Sequence, residues 1–213
     1  MLGNRRLAAF GGALLWCVVT ACQRDAGDDT RGQRSGDTAA APPAVSDACA
    51  PNGRVPPVTS GGIGVARIGA SVREVGQLCR TRDTTFTLGE GMQEKGAVIE
   101  FAGHRVLALT TADGTISRLI VADSSFRTER GLGVGSTVGQ LREAYGRLCG
   151  AVGEGTVAVW LAGFPNVSFG LDARLSELPA SGSRVSDDPS TIPDTARVTS
   201  LWVISEGAAC GGS

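Results

Sequence analysis

Apolar positions divide the chain into three stretches. Residues 7–19 form an apolar run of 13 residues preceded by Arg5 and Arg6. That is too short to cross a bilayer, which takes about 20, but it suits the core of an export signal. Residues 23–48 hold no aromatic residue, no Leu or Ile, and one Val, Val45. Such a stretch cannot bury enough surface to offset its ordering entropy, so residues 22–48 are expected to form a disordered tether. From about Cys49 to Ser213 apolar residues return with helical and strand periods.

This last part repeats a pattern. Ile68-Gly69-Ala70-Ser71-Val72-Arg73-Glu74-Val75 aligns with Val134-Gly135-Ser136-Thr137-Val138-Gly139-Gln140-Leu141, 66 residues later. Ser71 with Glu74, and Thr137 with Gln140, each spell a capping box, in which side chain and backbone satisfy each other's orphan donors at a helix start. Val72, Val75 and Leu78 follow at helical spacing in the first copy, and Val138, Leu141, Ala144 and Leu148 in the second. Strands are expected at 97–101, 105–110 and 116–122, the last two joined by the Asp113-Gly114 hairpin turn. The second copy supplies 157–161, 167–171 and 198–204. Phe101-Ala102-Gly103 matches Leu161-Ala162-Gly163 at an offset of 60, and Leu119-Ile120-Val121 matches Leu201-Trp202-Val203 at 82. The difference places an insertion at 173–196. The pattern predicts an α+β fold of two tandem repeats, 49–130 and 131–213, each a helix followed by a three-stranded antiparallel meander.

Composition narrows the function classes. With 20 Lys+Arg against 21 Asp+Glu, the chain lacks the basic excess of a nucleic-acid binder. The apolar run ends in Val19-Thr20-Ala21-Cys22, which resembles the bacterial lipobox. That resemblance implies removal of residues 1–21 and lipidation of Cys22, and two or more acyl chains hold a protein stably at a membrane. Removing Arg5 and Arg6 with the signal leaves 18 basic and 21 acidic side chains, a net charge of −3. Gln23 after the lipidated Cys, rather than Asp, resembles an outer-membrane address. The expected location is therefore the cell envelope, lipid-anchored and facing the periplasm.

Capped Gly-Ser/Thr helix starts, each followed by three strands, in tandem on a tethered lipoprotein, resemble the β-lactamase-inhibitor-protein fold. They also resemble the outer-membrane assembly lipoproteins of the SmpA/OmlA type. The Gly-Met-Thr helix entry of the assembly family is absent: Gly69-Ala70-Ser71 and Gly135-Ser136-Thr137 stand in its place. The resemblance implies architecture alone.

Candidate chemistry is sparse. His104 is the one imidazole, so any Ser-His-Asp or Cys-His mechanism would need it, and it falls in an expected hairpin turn. Gly131-Leu132-Gly133-Val134-Gly135 lacks the Gly-Lys-Ser/Thr end of a phosphate loop. Asp187, Asp188 and Asp194 lack calcium-loop spacing. No His/Cys group has zinc spacing, so no metal or cofactor is expected. Trp160 and Trp202 are expected to pack in the core. The reading that follows is a non-enzymatic, lipid-anchored binding or scaffolding protein with an envelope protein as partner. Inhibition of an envelope hydrolase is one alternative, and a carboxylate site among Glu90, Glu94 and Glu100 another. Partner contacts are expected in the insertion, at Leu175, Leu178, Asp187 and Asp188.

Four cysteines remain after export, an even number in an oxidising compartment, and two disulfides are expected among Cys49, Cys79, Cys149 and Cys210. Three connectivities are open, with Cys49–Cys79 and Cys149–Cys210 preferred. Each would tie a terminal tail to the end of one repeat's helix. Replacing Cys22 with Ala should release the protein from membranes, checked by fractionation and by the mass of its N-terminal peptide. An unmodified Cys22 in membrane-extracted protein contradicts the anchor.

Overall fold

The computed structural model describes residues 47–87, 91–153, 156–174 and 192–205, all within one unit that spans Pro42–Ser213. Three two-residue strands, β1 (Val58–Thr59), β2 (Gly62–Ile63) and β3 (Ala66–Arg67), make a small antiparallel sheet. Helix α1 (Val72–Leu78) leads into β4 (Arg80–Thr87), β5 (Gln93–Phe101), β6 (His104–Thr110) and β7 (Ile116–Val121). Helix α2 (Val138–Tyr145) leads into β8 (Leu148–Gly153), β9 (Thr156–Leu161), β10 (Phe164–Arg174) and β11 (Val198–Ile204). The eight long strands form one antiparallel sheet in the order β4-β5-β6-β7-β11-β10-β9-β8.

The expected α+β class of two helix-plus-meander repeats is therefore overturned. The described chain is mostly β, its helices have only 7 and 8 residues, and the strands merge into a single sheet instead of two meanders. The physical cause lies in the strands that the hydrophobic pattern hides. β4 (Arg-Thr-Arg-Asp-Thr-Thr-Phe-Thr) has no buried residue and sits at a sheet edge, where charge and Thr discourage further pairing. β8 begins at Leu148, which the helical stripe assigns to α2. Gly146, at φ 76°, ends that helix at Tyr145 and turns the chain into the strand.

The junction of the halves is β7 against β11, with Val121 opposite Leu201, Ile120 opposite Trp202, Leu119 opposite Val203 and Arg118 opposite Ile204. Alternate residues along every central strand then share one face. On the first face Ile99, Phe101, Val106, Leu119, Leu201 and Phe169 are fully buried. They form one cluster with Val75 of α1, Val138 and Leu141 of α2, Val58, Ile63 and Ala66 of the small sheet, and Phe126 before α2. One face of the sheet thus carries the core cluster, while Leu109, 1% exposed, is buried on the other face outside that cluster.

The two helix starts differ. Thr137 and Gln140 close the expected capping box, Thr137 Oγ1 accepting from Gln140 N and Gln140 Oε1 from Thr137 N. Ser71 makes no side-chain cap. The donor at the start of α1, Val72 N, goes instead to the carbonyl of Gly114, the hairpin-turn glycine. Leu78, expected on the buried stripe, is 37% exposed.

The end of the expected insertion is framework. Ile192 is 1% exposed within the core, and Ala196 accepts from Val138 N. Arg142 of α2 pairs with Asp194 and donates to the Ile192 carbonyl. Residues 175–191, which hold Leu175, Leu178, Asp187 and Asp188, lie outside the described residues.

Cys49 and Cys79 form the expected disulfide, 30 residues apart. Cys149 is also disulfide-bonded, while Cys210 lies outside the described residues. Changing Cys49 and Cys79 together to Ser should lower unfolding stability by about 3–4 kcal/mol, the loop-closure value for this separation. Chemical denaturation of the two proteins checks this. An unchanged midpoint would show that the bond constrains nothing.

Candidate functional site

The second face of the large sheet is the candidate. Cross-strand register aligns Arg82, Val98, Leu107, Ile120, Trp202, Ser168, Trp160 and Cys149 in one row across all eight strands. From Val98 to Trp160 each residue of that row is half-buried. None of its apolar members belongs to the core cluster or packs against it. Trp160 and Trp202, expected in the core, stand instead on this open face. The residue types explain part of the placement: indole pairs a large apolar area with a polar N–H, which suits a surface that is partly wet.

Trp202 is held in place from two sides. Its Nε1 donates to Ser200 Oγ at 3.0 Å, and the Arg118 guanidinium lies 5.3 Å from its ring centroid. Trp160 stands two strands away, about 10 Å at normal strand spacing. Between them β10 presents only Ser168 and Gly170 to this face. A Cβ at Gly170 would come within 2.5 Å of Ser200 Oγ, so the Ser200 hydroxyl occupies the space that a side chain there would need. The result is a low floor between two indoles.

Charge on this face is uneven. On the β4–β7 half stand Arg80, Arg82, Arg105 and Arg118 against Glu94 and Glu100. Arg80 approaches Glu100 at 4.0 Å, and Arg105 sits opposite Glu100. Level with the two indoles, β11, β10 and β9 contribute Ser200, Trp202, Ile204, Ser168, Gly170, Ala158 and Trp160, none charged, with Asp172 further along β10. The sequence carries a trace of this face in its consecutive apolar residues: 97–99, 119–121 and 201–203. A strand with one wet polar face alternates, whereas these runs are apolar on both faces.

The other candidates resolve differently. His104 opens β6 after the turn at Ala102 and Gly103, whose positive φ values of 49° and 85° make a tight hairpin. Its Nδ1 lies 2.8 Å from Asp123 Oδ2, and no hydroxyl or thiol among the described residues hydrogen-bonds to the ring. The ring meets the buried Phe126 edge-on at 6.4 Å. A base without a nucleophile fits a structural role, pinning the hairpin to the chain after β7. The backbone N–H of Ser125 and then the His104 side chain hold the Asp123 carboxyl below its ordinary value of 3.8.

Glu94 and Glu100 share a face of β5 but stand about 20 Å apart at strand rise, too far to act on one bond. Glu90 lies outside the described residues. An open polar groove of about 750 Å³ beside α1 is lined by Arg73, Gln77, Asp83 and Asp113 among others. Asp113 is engaged by Thr111 and Thr115, whose hydroxyls lower its pKa and lock the hairpin turn. No group of three metal-ligating side chains exists among the described residues. Cys22 also lies outside them.

The Asp123 shift has a definite sign. A carboxyl whose folded pKa is depressed adds stability above its unfolded value, and that contribution is lost as pH falls through the folded pKa. Asp123→Asn should therefore reduce stability at neutral pH and flatten the loss of stability below about pH 4. Thermal melts across that range check the slope. Parallel profiles for both proteins would remove Asp123 from the account.

No family model matches the chain, and no curated protein matches it. Among solved structures it is similar to the uncharacterized protein yfeY from Escherichia coli. That match has 17% identity and a TM-score of 0.46, over 70% of this chain and 99% of that one.

Proposed function

We propose that the protein is a non-enzymatic binding or scaffolding protein of the bacterial cell envelope, anchored by lipid on Cys22, that engages a protein partner through the open sheet face. The observation that carries this reading is the row Val98, Leu107, Ile120, Trp202 and Trp160, apolar and half-buried, with no part in the described core cluster. A contiguous apolar patch of this kind on a folded surface marks an interaction site. Trp and Arg, which dominate binding energy at protein interfaces, meet at its centre. The lipobox and the tether of 22–48 supply the anchor and the reach, about 25–30 Å for a flexible coil of that length. No helix among the described residues is long and apolar enough to cross a membrane.

The test is affinity purification of the full chain from detergent-solubilised envelope. Wild type should retain a stoichiometric protein partner. Ile120→Asp, which places a charge in the centre of the row, should weaken that retention by tenfold or more at unchanged melting temperature, since a buried unpaired charge costs on the order of 2–5 kcal/mol at an interface. Glu143→Ala on the exposed side of α2 should retain the partner. Retention unchanged by Ile120→Asp would clear the sheet face of this role.

A further inference from the structure

Resting on that reading, the polarity of the open face specifies its partner. We propose that the occupant is a protein segment that seats an apolar side chain between Trp160 and Trp202 and places carboxylates over Arg82, Arg105 and Arg118.

Three features carry this. The first is charge. The chain as a whole has a net charge of −1, yet the β4–β7 half of this face holds four Arg against two Glu. Arg82, Arg105 and Arg118 form no ion pair among the described residues, and Arg118, 5.3 Å from the Trp202 ring centroid, links the arginine half to the indoles. A partner with carboxylates there would complete the pairing, and Arg geometry suits bidentate carboxylate contacts.

The second is shape. Ser168 and Gly170 keep the floor low between two indoles on alternate strands, and Trp202 is already oriented by Ser200 and Arg118. The strand axes that carry the two indoles lie about 10 Å apart, a spacing that would admit one branched or aromatic side chain. An anchor that enters a preoriented aromatic pocket gives up little entropy on binding.

The third is area. Seven strand spacings by about six residues of strand give roughly 35 by 20 Å, on the order of 700 Å². That is close to the roughly 800 Å² each partner buries in a standard interface. Counted from β10, Arg118, Arg105 and Arg82 lie two, three and five strands away, about 10, 14 and 24 Å, a reach that an extended segment of about seven or eight residues covers.

The test uses a displayed library of random short peptides, panned in detergent against the lipid-anchored chain, from which Trp16 has left with residues 1–21. Trp160 and Trp202 are then its only tryptophans and report occupancy through their fluorescence. Enriched sequences should join a branched or aromatic residue to two or more carboxylates and should shift the emission. Their affinity should fall about tenfold on the double variant Arg82→Ala with Arg105→Ala, two exposed pairs at up to about 1 kcal/mol each. Raised salt should act in the same direction.

Enriched peptides that lack an acidic bias, or that ignore the double variant, overturn the proposal. If those peptides still lose binding to Ile120→Asp, the face remains a binding surface and only its acidic preference fails. If no peptide depends on Ile120, the proposal and the functional reading fail together. Light scattering that shows a dimer dissociated by Ile120→Asp makes a second copy the occupant and overturns the proposal as well.

Discussion

The antiparallel ladder between β7 and β11 is the constraint on which the rest depends. Four residue pairs join two four-stranded halves into one sheet, and strand pleating then sets every side chain to one face or the other. Leu119, Val121, Leu201 and Val203 fall on the face that gathers both helices, the small sheet and Phe126. Ile120, Trp202, Arg118 and Ile204 fall on the face that gathers none of them. A slip of one residue in this register would exchange the two sets, expose the core and bury Arg118.

Half of the sheet is therefore paired with its own chain and half is presented outward. Burial of the first face drives folding, and the eight-stranded span it stabilises holds the second face rigid. Trp202, oriented by Ser200 and Arg118, sits next to the junction at the middle of that span. An exposed surface built on paired strands is better positioned than one built on a loop. This is the physical reason for placing the proposed binding function on the sheet rather than on the 173–196 segment. The described end of that segment serves the core through Ile192 and braces α2 through Asp194.

Particular elements show how much was legible in the sequence. The capping box at Thr137 and Gln140 and the span of β11 follow from local pattern alone, because their determinants lie within a few residues. The Asp113-Gly114 turn was equally plain. β4 was not legible, since an edge strand of Arg, Asp and Thr carries no apolar alternation. Ser71 copied the cap motif, yet its helix start is served by Gly114, a residue 43 positions away. The open face was hidden for a deeper reason: Val98, Leu107, Ile120, Trp202 and Trp160 come from five strands and become neighbours only through long-range register. The two tryptophans read as core because apolar runs such as 201–203 say that both faces of a strand are apolar, without saying what covers the second.

On the proposed reading, the second sheet face contacts another protein in the envelope. The most direct measurement places a photoreactive side chain at position 107 or 168, on that face, and in a separate protein at Glu143 of α2, then irradiates living cells. Adducts of one discrete mass at 107 and 168, with none at 143, are the predicted result. Equal labelling at all three positions, or adducts only at 143, would contradict it.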